Sequence, residues 1–281
     1  MRELHAAAVR AAVAQMVIDA NCRIGEETLD CLRRCRDEEE KALARSILDK
    51  IILNDELACE RTVPMCQDTG MAVFRVKLGE ELRITEGGLE EAIQSGTAQG
   101  YREGYLRKSV VADPLFDRVN TRDNTPAIIY YEMVPGDKLD ITFAPKGFGS
   151  ENMSAVAMLK PADGVEGVMN FVVETVKKAG PNPCPPMVVG VGIGGTFEKC
   201  AQLAKFALMR SLGEENSDAR YAALERELLQ RINALGTGPA GLGGTTTALG
   251  VHIEQFPTHI AGLPVAVNIC CHAYRHSHTV L

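Results

Sequence analysis

Along residues 1–60 apolar positions recur every three or four residues and predict three helices. In the first, Val9, Ala12, Val13, Met16, Val17 and Ala20 share one face. Leu29 and Leu32 mark the second, and Leu43, Ile47, Leu48 and Ile51 the third. The period then changes. In residues 71–79, MAVFRVKLG, Phe74, Val76 and Leu78 alternate with Arg75 and Lys77, the pattern of a strand with one wet face. Residues 127–134 and the alternating Leu139, Ile141 and Phe143 predict a hairpin around Pro135-Gly136-Asp137. Further helices are expected at 87–105, at 163–179 with Gly180 as its stop, at 196–212 and at 217–235. The last carries Tyr221, Leu224, Leu228 and Ile232 on one face and ends at Gly236. Strands are expected at MVVGVGI, after the glycine loop GTGPAGLGG, and at LPVAVNICC. The sum is a mixed α/β fold of α+β-like character, with largely antiparallel sheets packed against helices. It is expected as one domain, 1–281, with a helical N-terminal segment (1–60) and a binding region (61–281).

Composition narrows the chemistry. The 281 residues are 46% hydrophobic and 24% charged, ordinary for a globular protein. A net charge of −7 argues against non-specific nucleic-acid binding. No apolar run approaches the roughly 20 residues that span a bilayer. The N-terminal stretch carries Glu3 and Asp19 and lacks the basic start and apolar core of a signal peptide, so a cytoplasmic location is expected. Nine cysteines, an odd number, speak against a disulfide framework and leave buried thiols, metal ligands or a nucleophile.

Residues 190–195, GVGIGG, match a dinucleotide-binding glycine pattern between a strand and a helix. That reading requires an acidic residue on a second parallel strand. Glu215 has the spacing but lies in the polar bend SLGEENSDAR, which favours a tight strand-to-helix turn or an anion site at the helix start.

Cys31 and Cys35 lie four apart on a helix with no histidine nearby, and Cys22, Cys59 and Cys200 sit in or beside helices; small thiols facing a core account for all five. Cys66, in VPMCQDTG, Cys184, in PNPCPP, and the pair Cys270-Cys271, ahead of HAYRHSH, sit instead at loops or strand ends beside polar groups. The prolines around Cys184 predict an extended, pre-shaped segment. Three thiolates from distant points could hold an iron–sulfur cluster with one iron open.

CQDTG at 66–70, GSENMS at 149–154, NPCPPMVVGVGIGGT at 182–196, GPAGLGGTTTALGVHIE at 238–254 and THIAGLPVAVNICCHAYRH at 258–276 together resemble class I iron–sulfur fumarate hydratases. The likeness is to the alpha subunit of the two-subunit form, which is related to tartrate dehydratase, and it runs from about Pro64 to His276. It implies a 4Fe–4S cluster held by Cys66, Cys184 and Cys271, with Cys270 the rival for the third position. Adjacent strand residues face opposite ways, so only one of that pair can readily face a cluster.

The resemblance implies reversible hydration of fumarate to malate. Gln67 and Asp68 would touch substrate, with Asp68 helping proton transfer; on its own residues Asp68 could equally cap an Asx-turn. Arg107 would bind a carboxylate, with Lys108 as its rival. Gly149 and Asn152 would form a substrate loop, and His259, twelve residues before Cys271, would contact substrate and take part in catalysis. His272, His276 and His278 form a basic tail. Single-chain relatives carry a further domain, so a separate beta subunit is expected to complete the site, in a dimer of heterodimers, with no nucleic-acid or membrane partner. Tartrate or mesaconate dehydration, a nucleotide-binding oxidoreductase and a zinc-binding scaffold subunit are the rival readings.

Overall fold

A computed structural model describes all residues from Met1 to Leu281. The chain divides into two compact units, and no helix is long and apolar enough to cross a membrane.

Unit 1 comprises residues 1–24, 55–148 and 275–281. It opens with a short strand β1 (Arg2–His5) and helix α1 (Ala6–Cys22), whose apolar face is buried as the periodicity predicts. Helix α2 (Glu26–Glu38) belongs to unit 2, and α3 (Ala42–Arg61) begins in unit 2 and ends in unit 1. Strands β2 (Met71–Gly79) and β3 (Leu82–Thr85) follow, then helix α4 (Leu89–Glu103) and strands β4 (Ile128–Val134) and β5 (Leu139–Lys146). Helix α4 lies directly on α1 because Gly96 and Gly100 face it: a Cβ at Gly96 would sit 2.6 Å from the Arg10 carbonyl oxygen. Phe74 and Phe143 meet in the core with ring centroids 4.9 Å apart and planes tilted by 35°.

The expected hairpin does not form. Strands β4 and β5 are joined by the Pro-Gly-Asp turn, but they flank β2, which pairs parallel with β4 and antiparallel with β5. The end of β2 threads the connection: Gly79 N–H donates to Lys138 O, Glu80 N–H to Val134 O and Glu81 N–H to Gly136 O, each at 2.9 Å. Residue 79 must be glycine-sized there, since a Cβ would lie 2.4 Å from the Gly136 oxygen. A short strand β10 (Ser277–Val280) completes the sheet along the free edge of β5, giving the order β10-β5-β2-β4.

Unit 2 comprises residues 25–54 and 149–274. A short helix α5 (Phe148–Glu151) leads to strand β6 (Ala155–Leu159) and helix α6 (Gly164–Ala179). Strand β7 (Met187–Gly194) runs into helix α7 (Phe197–Ala207), followed by α8 (Ala219–Asn233), β8 (Ala248–Phe256) and β9 (Leu263–Cys270). The sheet order is β6-β9-β7-β8, with β8 parallel to β7 and β9 antiparallel to it. Alternation assigns the faces. Val189, Val191 and Ile193 of β7 pack with α6 and α8, while Cys200 and Ala204 of α7 pack on Ala266 of β9 on the other face.

The GVGIGG run is explained by this packing. A Cβ on Gly190 would meet the Ala204 oxygen at 2.3 Å, and one on Gly192 the Cys200 oxygen at 2.0 Å, so α7 rests on bare backbone. Gly194 and Gly195 have φ of +90° and +70° and make the turn. The parallel strand β8 exists, but Glu215 is not on it and pairs with Arg226 at 3.0 Å. The start of α7 carries its own acid, Glu198, bonded to the Thr196 hydroxyl at 2.6 Å. Gly192→Ala is expected to lower stability by about 1–3 kcal/mol through overpacking, read as a shift of the denaturant midpoint at unchanged slope.

Candidate active site

In unit 1, the loop from Pro64 to Gly70 links α3 to β2. Met65 N–H is fixed by the Asn21 oxygen at 3.0 Å. The half-buried Cys66 sulfur accepts the Asp68 N–H at 3.4 Å and donates to Gln67 Oε1 at 3.5 Å. Asp68 Oδ1 accepts from Gly70 N–H at 3.0 Å, the Asx-turn that its sequence allows. Its Oδ2 accepts from Phe148 N–H at 2.9 Å. The buried Arg275 donates to the Asp68 carbonyl at 2.6 Å. Gly70 has φ +73° and lies against the Lys146 backbone, where a Cβ would be at 2.8 Å. Tyr101 donates its hydroxyl to Thr69 O at 2.7 Å; burial raises its pKa well above the ordinary value.

Of these groups, Asp68, Gly70 and Phe148 line a cavity of about 470 Å³, together with Val110 and two arginines, Arg107 and Arg118. Lys108, the sequence rival of Arg107, is not among the lining residues. Arg118 and Arg275 were not singled out from the sequence. Arg275 lay within the motif ending HAYRH; Arg118 had no distinguishing neighbour.

In unit 2, three segments converge at one end of the sheet. Cys184 is exposed and does not adopt the expected extended backbone. Its φ is +55°, because its N–H closes a turn onto the Pro181 oxygen at 3.0 Å. Its own carbonyl accepts from His272 N–H at 3.3 Å, so the PNPCPP turn and the segment after β9 are bonded together. Cys270 ends β9 opposite Val188, on the face shared by Ala266 and Asn268; Cys271 is the first residue beyond the strand. No disulfide joins any of the nine cysteines. Cys31 is a buried thiol, as expected, with its sulfur 3.8 Å from the Leu249 oxygen.

The GSENMS segment reaches the same end. Glu151 receives Lys205 Nζ at 2.5 and 2.6 Å and Asn268 Nδ2 at 2.8 Å. Asn268 also donates to Ser154 Oγ at 2.7 Å. Gly149 faces the Asn182 oxygen, 3.9 Å from where a Cβ would be, and Asn152 is exposed. His259 lies elsewhere: it precedes β9, at the end of that strand opposite to Cys271, and an eight-residue strand is roughly 26 Å long. There it lines a cavity of about 370 Å³ with Tyr221, Leu224 and Ile260. Within either unit, no three His, Cys, Asp or Glu side chains group as a metal site; Cys66 is in unit 1, Cys184 and Cys271 in unit 2.

The glycine loop 236–247 braces Cys184 from behind. Ala240 N–H donates to Pro185 O at 2.8 Å, and Gly241 lies against Pro181. The loop is pinned by Glu39, fully buried, whose carboxylate accepts from Thr245 N–H at 2.8 Å, Thr245 Oγ1 at 3.0 Å and Lys41 N–H at 3.0 Å. Burial pushes this carboxyl up, but those hydrogen bonds outweigh it and hold its pKa below 4.5. A depressed folded pKa gives stability that is present above the unfolded value and lost as pH falls through the folded one. Glu39→Gln is therefore expected to lower unfolding free energy at pH 7 by roughly 1.5–3 kcal/mol. The deficit should shrink below pH 4.5 in denaturant titrations run at several pH values.

The fumarate hydratase (Fumerase) family model matches residues 10–280. The chain belongs to the fumarate hydratase family. It is 42% identical to the putative L(+)-tartrate dehydratase subunit alpha of Methanocaldococcus jannaschii, over 94% of each chain. It is 33% identical to the L(+)-tartrate dehydratase subunit alpha of Escherichia coli strain UTI89, over 94% of this chain and 87% of that one. A hydro-lyase of the fumarate hydratase and tartrate dehydratase alpha type is thereby established as its class.

Proposed function

We propose that this chain is the alpha subunit of an iron–sulfur hydro-lyase that adds water to fumarate, giving malate, and that a separate beta subunit completes the site. The observation that carries the reading is the hydrogen bond from His272 N–H to Cys184 O. It ties together two loops, far apart in sequence, whose motifs each contribute one of the three cysteines. The donor set fits a cluster: Cys66, Cys184 and Cys271 are loop thiols with no disulfide, and Cys184 is held in a strained left-handed turn. These three would hold a 4Fe–4S cluster, which when bound leaves one iron open as a Lewis acid.

The chain's own residues would do the rest. Arg107 offers a planar guanidinium to a substrate carboxylate. Gln67, the Gly149 backbone and Asn152 would orient the substrate. Asp68, held in place through both carboxylate oxygens, would move the proton at the carbon that does not receive the hydroxyl. Because β9 separates His259 from Cys271, we assign His259 to the site of a second copy, in keeping with a dimer of heterodimers.

The names of the relatives favour a second reading, tartrate dehydration, on the same residues. The test is anaerobic co-purification with the partner subunit, iron and sulfide analysis, and turnover of fumarate, tartrate and mesaconate. About four irons per alpha chain with fumarate turnover supports the first reading. Stoichiometric zinc and no hydro-lyase activity would overturn both.

A further inference from the structure

The cavity in unit 1 holds more positive charge than the reaction scheme has used. Residues 110–121 form a small hairpin: Ala112 N–H donates to Val119 O at 2.8 Å, Thr121 N–H to Val110 O at 3.0 Å, and Val111 bridges Asn120. Its base is pinned by the buried Asn124, which accepts from Ser109 N–H at 2.6 Å and donates to Gly70 O at 3.0 Å. Asn120 Nδ2 bonds the Lys108 oxygen at 2.9 Å. The hairpin thus returns Arg118 to the cavity that Arg107 enters. One Arg118 nitrogen is anchored on Pro114 O at 2.5 Å, which fixes the guanidinium and leaves its other N–H groups for a ligand. Arg118 feels the charge of the Asp113 carboxylate, which is itself held by Leu115 N–H at 2.9 Å and by Phe116 N–H. Asp68, which lines the cavity with both arginines, has both oxygens engaged by backbone N–H groups.

We propose that Arg118 is a second carboxylate-binding residue, gripping the end of a C4 dicarboxylate that Arg107 does not hold. The inference rests on the hydro-lyase reading above and extends it. Two guanidiniums facing one cavity, with the carboxylates beside them, Asp68 and Asp113, already engaged by backbone N–H groups, suit a ligand carrying two negative ends.

The test compares Arg118→Gln and Arg118→Lys in the cluster-loaded alpha–beta enzyme. For Arg118→Gln, KM for fumarate and the inhibition constant of succinate should both rise about 10–100-fold, the loss of a charged hydrogen-bonded contact. The kcat value should change less, and binding of monomethyl fumarate should change far less than that of succinate. Arg118→Lys should recover part of the loss. Arg118 is exposed, so an unchanged unfolding midpoint checks the fold. Unchanged succinate binding in Arg118→Gln, or equal losses for succinate and the monoester, would overturn the proposal. If the wild type turns over no hydroxy- or unsaturated dicarboxylate, the hydro-lyase reading fails by itself. Calorimetric succinate binding on the same proteins then still decides Arg118, and no binding to the wild type counts against it.

Discussion

Cys184→Ser, in the alpha–beta enzyme purified without air, is expected to reduce iron from about four per alpha chain to near zero and to abolish turnover. Serine keeps the size and the turn but removes the thiolate that iron requires. Cys271→Ser should behave alike. Cys270→Ser should keep its iron, since Cys270 belongs to the strand and faces with Asn268, whereas Cys271 lies beyond the strand and directly before His272, whose N–H bonds the Cys184 oxygen. A second substitution separates metal binding from folding. Cys184 has φ +55°, a conformation that costs a side chain about 1–2 kcal/mol and glycine almost nothing. Cys184→Gly should therefore match or exceed the wild-type unfolding midpoint while losing the iron. A Cys184→Gly protein that is markedly less stable would show that the turn depends on the side chain for packing. Iron content retained in Cys184→Ser would remove the residue from the ligand set.

The second large effect concerns a buried ion pair in unit 2. Glu225 is 8% exposed, and its Oε1 accepts from Arg210 at 2.8 Å, Ile253 N–H at 2.7 Å and Asn216 at 3.2 Å. Arg210 also reaches Glu214 O, and its own carbonyl accepts the Tyr274 hydroxyl. The pair thus ties α8, β8 and the stretch after β9 together. Glu225→Ala leaves a guanidinium and a strand N–H buried without their main acceptor. Breaking such a pair costs about 3–5 kcal/mol, which in a chain of this size lowers Tm by roughly 10 °C. Removing both partners should cost less than the sum of the single changes, because the uncompensated charge disappears as well. Strict additivity in that cycle would mean that the two side chains do not interact.

Helices were readable wherever apolar residues kept a 3.6-residue period and a glycine or charged turn closed the element. The stops at Gly180 and Gly236 both occur at positive φ. Leu43 fitted the third helix's pattern yet is 58% exposed, since one residue's place in a period does not say whether a neighbour covers it. Strand pairing was less readable. The sequence around Pro135-Gly136-Asp137 specifies a turn, but not that β2 will enter between the strands it joins. The four-residue strands β1, β3 and β10 are too short for alternation to stand out. At the site, motif residues were conspicuous through their glycine and proline company. Glu39, Arg118 and Arg275 were not, because a charged residue in a loop reads as solvated until the fold buries it or aims it. For Cys184 the prolines correctly excluded helix but suggested extended backbone; the turn bond to Pro181 decided otherwise.

The edge strand β10 has a consequence for biosynthesis. It is translated after every residue of unit 2, yet it covers β5, a strand of unit 1. On the ribosome, the outer backbone groups of β5 stay unpaired until residues 277–280 emerge. Through that interval the nascent chain carries an open sheet margin, the kind of surface that invites association with other unfinished chains.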